Sequence, residues 1–190
     1  MKWLLINAQF YFILEQKIMG SIEKATVEDV VELNQLINSA YRGDEAKKGW
    51  TNEAHLLTGI RIDEKELIGI LKSKSSFFLK YAEQKIIKAC VLLEKQDSAL
   101  YLGMLSVMPE LQGKGIGKQL LKAAEINAHQ LGCSKIYMTV ISVRCELIEW
   151  YKRHGYFDTG IKKPFPGEGR NILVQTPLEF TVLEKTLPFK

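Results

Sequence analysis

The sequence predicts an α+β fold, a central mixed but mostly antiparallel twisted sheet with helices on its faces. Three observations predict it. Three β-rich runs, "SFFLKYA", "KIIKACVLLE" and "ALYLGMLSV", follow one another between Ser75 and Val107 with only short polar breaks, a spacing that suits an antiparallel meander. Beyond Val107 the texture changes to an alternation of helix and strand that runs to the C-terminus. The 190 residues, 46% hydrophobic and 25% charged, fit one soluble domain with a sizeable core.

Each element has its own local cause. Ser21 to Ala25 is a short strand, and Thr26 with Asp29 has the spacing of a capping box ahead of a helix whose apolar face is Val30, Leu33 and Ile37. The polar, glycine-bearing segment "YRGDEAKKGW" interrupts, and Thr51 with Ala54, Leu56 and Leu57 predicts a second short helix. Asp63 and Glu66 repeat the cap signature before a third helical piece, "LIGILKS". Of the meander's three runs, the last is almost continuously apolar, which places it in the middle of the sheet. Pro109 closes it, because proline has no N–H to give to a ladder. Leu120, Ala124, Ala128 and Leu131 then mark a helix stopped by Gly132. "KIYMTVI" reads as a strand, "CELIEWYKRHG" as a helix ended by Gly155, and "LEFTVLEKTL" as the final strand.

Between the central strand and its helix lies "PELQGKGIGKQLL", with Gly113, Gly115 and Gly117 at alternate positions. A strand end, a tight turn, consecutive backbone N–H groups and a helix N-terminus together make an anion cradle suited to a phosphate. Two nucleotide motifs fail here. The P-loop would need glycine where Gln112 or Met108 stands, and Lys118 is followed by Gln119. The dinucleotide pattern would need its third glycine at Lys118, and no parallel β-α-β unit with a later acidic residue is expected around it.

The loop resembles the acetyl-coenzyme A loop of the GNAT superfamily of N-acetyltransferases, whose signature is Gln or Arg, two residues, Gly, one residue, Gly or Ala. Gln112, Gly115 and Gly117 match it, and "LIEWYKRHGY" looks like the other half of the family's cofactor domain. The element order agrees over about residues 21 to 187. The resemblance implies the GNAT fold, with six to seven strands and helices on both faces, and acetyl-CoA as co-substrate, with no metal. It implies a cofactor site built from Leu105, Ser106 and Val107 on the central strand, where relatives splay the sheet, and from Gln112, Gly113, Lys114, Gly115, Ile116, Gly117 and Lys118. Physically, the N–H groups from Gln112 to Lys118 and the positive end of the helix dipole would hold the pyrophosphate, and glycine lets the backbone approach it. Lys114 and Lys118 either add charge there or are simply solvated.

Acyl transfer to an amine needs a neutral nucleophile, a donor for the oxyanion and a proton for the leaving thiolate. By resemblance the backbone N–H of Val107 faces the carbonyl oxygen, and Tyr151, ahead of Gly155-Tyr156, serves the thiolate. The competing reading of Tyr151 is a core aromatic sharing a helical face with Leu147 and Ile148. Many family members carry asparagine seven residues before that tyrosine, where this chain has Arg144. Arg144 then meets a phosphate or lies on the surface. Proton acceptors for the amine come from Asp44, Glu45, Glu53 and His55, with Glu53 the first choice against its alternative as a first-turn acid. His129 and His154 look peripheral. The loop Lys162 to Asn171 offers Glu168 and Arg170 as acceptor selectors, or is an ordinary turn.

Composition sets the remaining expectations. Net charge is +4 and spread along the chain, which argues against a nucleic-acid surface. Three cysteines without C-x-x-C spacing suggest no zinc site or disulfide framework and a reducing, cytoplasmic setting, and Cys145 has no obvious histidine partner for covalent catalysis. Residues 1–18 form an extension of unknown role ahead of a single domain over 19–190. Its apolar run from Trp3 to Leu14 is too short to span a bilayer, which needs about 20 residues, and lacks a small-residue cleavage site, so no membrane partner is expected. The sequence thus points to an N-acetyltransferase acting by direct attack, with a non-catalytic acyl-CoA-binding module of the same fold as the alternative. The acceptor amine and a homodimer stay open.

Overall fold

Ser21–Lys24 (β1) opens the sheet, antiparallel to Ser76–Glu83 (β2) with Ser21 opposite Ala82. The computed structural model describes residues 20–166 and 178–188. Thr26 and Asp29 form the capping box: the Thr26 N–H donates to Asp29 at 2.7 Å and the Thr26 hydroxyl accepts from the Glu28 N–H. One 3-10 turn follows, and then Val30–Tyr41 (α1), which buries Val30, Leu33, Leu36, Ile37 and Ala40.

The segment after α1 departs from the sequence reading. Its helix is the single turn Gly43–Ala46 (α2), and Thr51 to Leu57 makes only one turn, with the Leu56 and Leu57 N–H groups both on the Glu53 carbonyl at 2.9 Å. The reason is local. The Glu53 N–H is tied back to the Tyr41 carbonyl at 3.1 Å, and Gly59 turns the chain at φ +84 before a helix can extend. Glu64–Leu71 (α3) starts as expected, Asp63 accepting from the Glu66 N–H at 2.7 Å.

The meander is β2, Ile86–Gln96 (β3) and Ala99–Val107 (β4); then come Ile116–Gln130 (α4), Lys135–Ile141 (β5), Cys145–Arg153 (α5), Phe157–Pro164 (β6) and Glu179–Thr186 (β7). The sheet has seven strands in the order β1-β2-β3-β4-β5-β7-β6, with β4 at its centre. Six were legible as sequence runs. The seventh, β6, is an edge strand exposed along nearly its whole length and broken by Gly160, so burial never wrote an apolar pattern into it.

Every neighbouring pair is antiparallel except β4 and β5, which run parallel and are joined by α4. A parallel β-α-β unit therefore does surround the glycine loop, contrary to the sequence expectation; the dinucleotide motif still fails on its third glycine. Neighbouring residues on β2 feed opposite cores, as strand alternation requires. Leu79 packs with Leu120, Ala124 and Tyr151 on the α4–α5 face, while Phe78 packs with Leu33, Ile37 and Leu67 on the α1–α3 face.

A forked strand and a two-sided candidate active site

The parallel pairing of β4 to β5 covers only Ala99–Tyr101 against Lys135–Tyr137. From Leu102 onward no strand among the described residues pairs with β4 on that side. A bulge opposite β3, between Cys90 and Leu92, and Met104 at φ +48 mark where β4 bends away. Its open edge is partly used by side chains: the Tyr41 hydroxyl donates to the Leu105 carbonyl at 3.3 Å and the Gln112 amide to the Val107 carbonyl at 3.2 Å. The Met108 N–H points the other way, to the Lys88 carbonyl at 2.9 Å, and successive N–H groups alternate between strand edges. The Val107 N–H therefore faces the fork.

Where β4 ends, Pro109–Leu111 makes a 3-10 turn and the glycines bring the chain into α4. Gly113 and Gly115 take φ +77 and +84, and Gly115 is the N-cap with no side-chain cap bond. The first α4 bond runs from the Gln119 N–H to the Gly115 carbonyl, so the N–H groups of Ile116, Gly117 and Lys118 have no acceptor within the helix. No acidic residue sits in that first turn. A Cβ at Gly117 would stand 3.5 Å from the Trp150 ring, so the indole packs on bare backbone.

Two cavities meet at the fork. One, of about 370 Å³, runs from the glycine loop past Trp50 and Trp150 to Tyr151; the other, of about 290 Å³, lies between β4, β5 and the α1–α3 connection. Tyr41, Leu105, Arg144, Leu147 and Tyr151 line both. Tyr151 is buried, packed edge-on to Trp150 at 4.9 Å, and burial pushes its phenol well above the ordinary value, with the nearby Tyr41 and Tyr156 adding to the shift. Tyr41 is raised as well, by burial first and then by Glu53. Both phenols keep their protons at neutral pH.

The acetyltransferase (GNAT) family model matches residues 30–156, two thirds of the chain, and spans the fork, the glycine loop and α5. The chain belongs to the GNAT family. Solved structures with its fold include the ribosomal-protein-S18-alanine N-acetyltransferase of Escherichia coli, with TM-score 0.68 and 11% identity over 90% of this chain and 96% of that one. The PaiA N-acetyltransferase of Thermoplasma acidophilum in complex with coenzyme A has TM-score 0.64 and 18% identity over 88% and 99%. The Salmonella typhimurium protein YncA, solved with its cofactor acetyl-CoA, has TM-score 0.65 and 16% identity over 90% and 95%. No curated protein matches the sequence.

As a GNAT enzyme the chain places its sequence-predicted site residues unevenly. Leu105, Val107, Gln112, Gly113, Gly115, Ile116, Gly117 and Lys118 line the first cavity; Ser106 and Lys114 do not. Ser106 is buried on the other face of the sheet from Leu105 and Val107, its hydroxyl donating to the Met104 carbonyl at 3.0 Å, and Lys114 is exposed. The expectation that Gln112 offers a free N–H needs correcting, because the 3-10 turn commits it to the Pro109 carbonyl at 3.3 Å. Its side chain is a tie instead, accepting the Thr51 N–H at 3.3 Å while donating to Val107.

On the acceptor side Glu53 lines the second cavity, one oxygen bound by the Arg42 guanidinium and the other 4.0 Å from Arg144. Asp44 and Glu45 are exposed and paired to Lys47 and Lys48, and exposed His55 lines neither cavity. Arg144 is not a surface group, and it lines both cavities. It is buried, holding Glu146 at 2.5 Å and the Thr51 hydroxyl at 2.5 Å. His154, read as peripheral, lines the first cavity with Nδ1 on the Trp150 carbonyl at 2.8 Å. Phe165 and Pro166, at the described end of the Lys162–Asn171 loop, form part of the second wall; Glu168 and Arg170 lie outside the described residues, as do residues 1–18. Tyr41 is the lining residue that sequence reasoning left without a role, and its only signal was an aromatic beside the polar loop. Among the described residues no group of three or more His, Cys, Asp or Glu is placed to hold a metal, and no helix is long and apolar enough to cross a membrane.

Proposed function

We propose that this GNAT enzyme transfers an acetyl group from acetyl-CoA to a primary amine of a small molecule or peptide by direct attack. The observation that carries the reading is the fork: the unpaired edge of β4 opens between two cavities, with Tyr151 on both. The pyrophosphate fits the N-terminus of α4, where three N–H groups lack acceptors, each favourable charge interaction at such an end being worth about 0.3 to 1 kcal/mol. The acyl-pantetheine arm fits the edge of Leu105 and Val107, and the Val107 N–H serves the carbonyl oxygen as negative charge develops there. The complexes of the Thermoplasma and Salmonella proteins with coenzyme A and acetyl-CoA support the choice of co-substrate.

The acceptor enters from the second cavity. A lysine-like amine with pKa near 10.4 must lose a proton to attack at pH 7, a cost of about 4 to 5 kcal/mol. Glu53 is the carboxylate on that side, and we assign it the proton, taken directly or through water. As the N–C bond forms and the C–S bond breaks, the thiolate meets the Tyr151 hydroxyl. A phenol of ordinary pKa is already a weaker acid than a thiol by about 2 kcal/mol, and burial weakens Tyr151 further. Tyr151 therefore acts by donating a hydrogen bond to the sulfur, the net proton coming from the amine. The setting is cytoplasmic, where the exposed thiol of Cys145 stays reduced.

The test is release of free thiol from acetyl-CoA in the presence of polyamines, amino acids, aminoglycosides and peptide N-termini, with the product checked by mass for one added acetyl group. Thiol release with an acetylated amine is the expected result. Binding of acetyl-CoA without turnover on any amine would identify a non-catalytic acyl-CoA module instead, and failure to bind coenzyme A would overturn both readings.

A further inference from the structure

Among the described residues the lining of the second cavity holds three guanidinium groups and two carboxylates. Arg42, Arg61 and Arg144 line it, against Glu53 and Glu66. Arg42 is committed to Glu53, and Arg144 to Glu146, the Thr51 hydroxyl and the far oxygen of Glu53. Glu66 has an interaction of its own. Arg61 is different: its guanidinium lies over the Tyr41 ring, 5.5 Å from the centroid, and among the described residues no carboxylate comes within 4.0 Å of it. Nearby, the Nε–H of Arg42, a side chain more than nine-tenths buried, finds no acceptor either. A wall with donors in excess of acceptors is poised for an anion.

Resting on the acetyl-transfer reading above, we infer that the acceptor carries a carboxylate beside its amine, and that Arg61 is the residue that selects it. Three features fix the class. Tyr41 places Arg61 on its ring face and its own hydroxyl on the Leu105 carbonyl, so the guanidinium stands one tyrosine ring from the fork where the amine must attack. A single guanidinium, planar and bidentate, matches one carboxylate, and one positive charge balances its one negative charge. Much of the remaining wall, Leu102, Met104, Met138, Phe165 and Phe180, is apolar, with the Tyr101 and Thr139 hydroxyls paired to each other, and the volume of about 290 Å³ suits a small amino acid with an apolar or aromatic side chain. The ammonium end meets Glu53 and the carboxylate end meets Arg61, so the cavity reads a zwitterion at both ends.

The experiment compares matched acceptors that differ only in the carboxylate: leucine with 3-methylbutylamine, phenylalanine with 2-phenylethylamine, tyrosine with tyramine. In the pair used best, the amino acid is expected to exceed the amine in kcat/KM by about tenfold or more, the scale of a hydrogen-bonded charge. Arg61→Met is expected to remove that advantage by lowering turnover of the amino acid while the amine does not fall with it, and Arg61→Lys to restore part of it. Affinity for coenzyme A, measured on the same preparations, reports that the variants are folded. Equal use of amine and amino acid, or an equal loss for both in Arg61→Met, would overturn the inference and leave acetyl transfer standing. Calorimetric binding of the same acceptors to the coenzyme A-loaded protein separates the two claims. Arg61-dependent binding of an amino acid without any thiol release would sink the acetyl-transfer reading alone, and absence of both binding and turnover would sink both.

Discussion

The two sides of the fork are built from different materials. On the side proposed for the cofactor the groups are backbone: the open edge of β4, two glycines at positive φ, and the first N–H groups of α4, all within Leu105 to Lys118. On the side proposed for the acceptor they are side chains brought from Tyr41, Arg42, Glu53, Arg61 and Arg144, and they are held mostly by one another. A backbone site is set by where the chain turns, so a short motif encodes it. A side-chain site is set by tertiary pairing, and it can be rewritten one residue at a time without disturbing the first. The two sides are joined at Thr51, whose N–H donates to Gln112 and whose hydroxyl accepts from Arg144.

That contrast can be broken at either end. The largest effect is expected on the acceptor side: Glu53→Gln leaves the buried Arg42 charge without its counterion, which costs about 3 to 5 kcal/mol of stability, read as a shifted denaturant midpoint. Coenzyme A affinity measured below that transition should not change, and a parallel loss would show that the sides are not independent. Next, Tyr151→Phe is expected to lower kcat by about 100-fold with cofactor affinity within about twofold, the scale for removing one preorganised hydrogen-bond donor to developing negative charge. Unchanged kcat where acetyl transfer limits the rate would remove Tyr151 from the chemistry. Gly115→Val comes third. A β-branched residue at φ +84 costs about 1 to 2 kcal/mol and crowds the α4 donors, so coenzyme A affinity falls about 10- to 30-fold while selectivity among amines is kept. The smallest effect is in pH. Tyr41 and Tyr151 are both raised by burial, so neither titrates between pH 7 and about 10, the ordinary phenol value. Above it the unfolded chain sheds protons that the folded phenols keep, so stability falls as pH rises further. A phenol titration of kcat below pH 10 would contradict the burial of Tyr151.

The same contrast explains what could be read in advance. The glycine loop, the caps at Thr26 and Asp63, the meander and the helix carrying Tyr151 depend on neighbours in the chain, and the sequence placed them correctly. The parallel joint between β4 and β5 was missed because it rests on only three paired residues on each strand, too few to shape a periodic pattern. β6 was missed because an exposed edge has no face to encode. Arg144 and Arg61 resisted reading for a further reason: an arginine in a polar loop looks solvated until its partners, or the lack of them, are known. Gln112 shows the limit within the motif itself, since its spacing was recognised but its task, tying the two sides together, depends on Thr51 sixty-one residues away.

Trp150 touches the bare backbone of Gly117, faces the Tyr151 ring at 4.9 Å and the His154 ring at 4.4 Å, and lines the first cavity. An indole is the strongest ultraviolet fluorophore in a protein, and this one sits at the helix end where the pyrophosphate is expected. The chain therefore carries its own optical probe of that site: occupancy should register as a change in emission from Trp150.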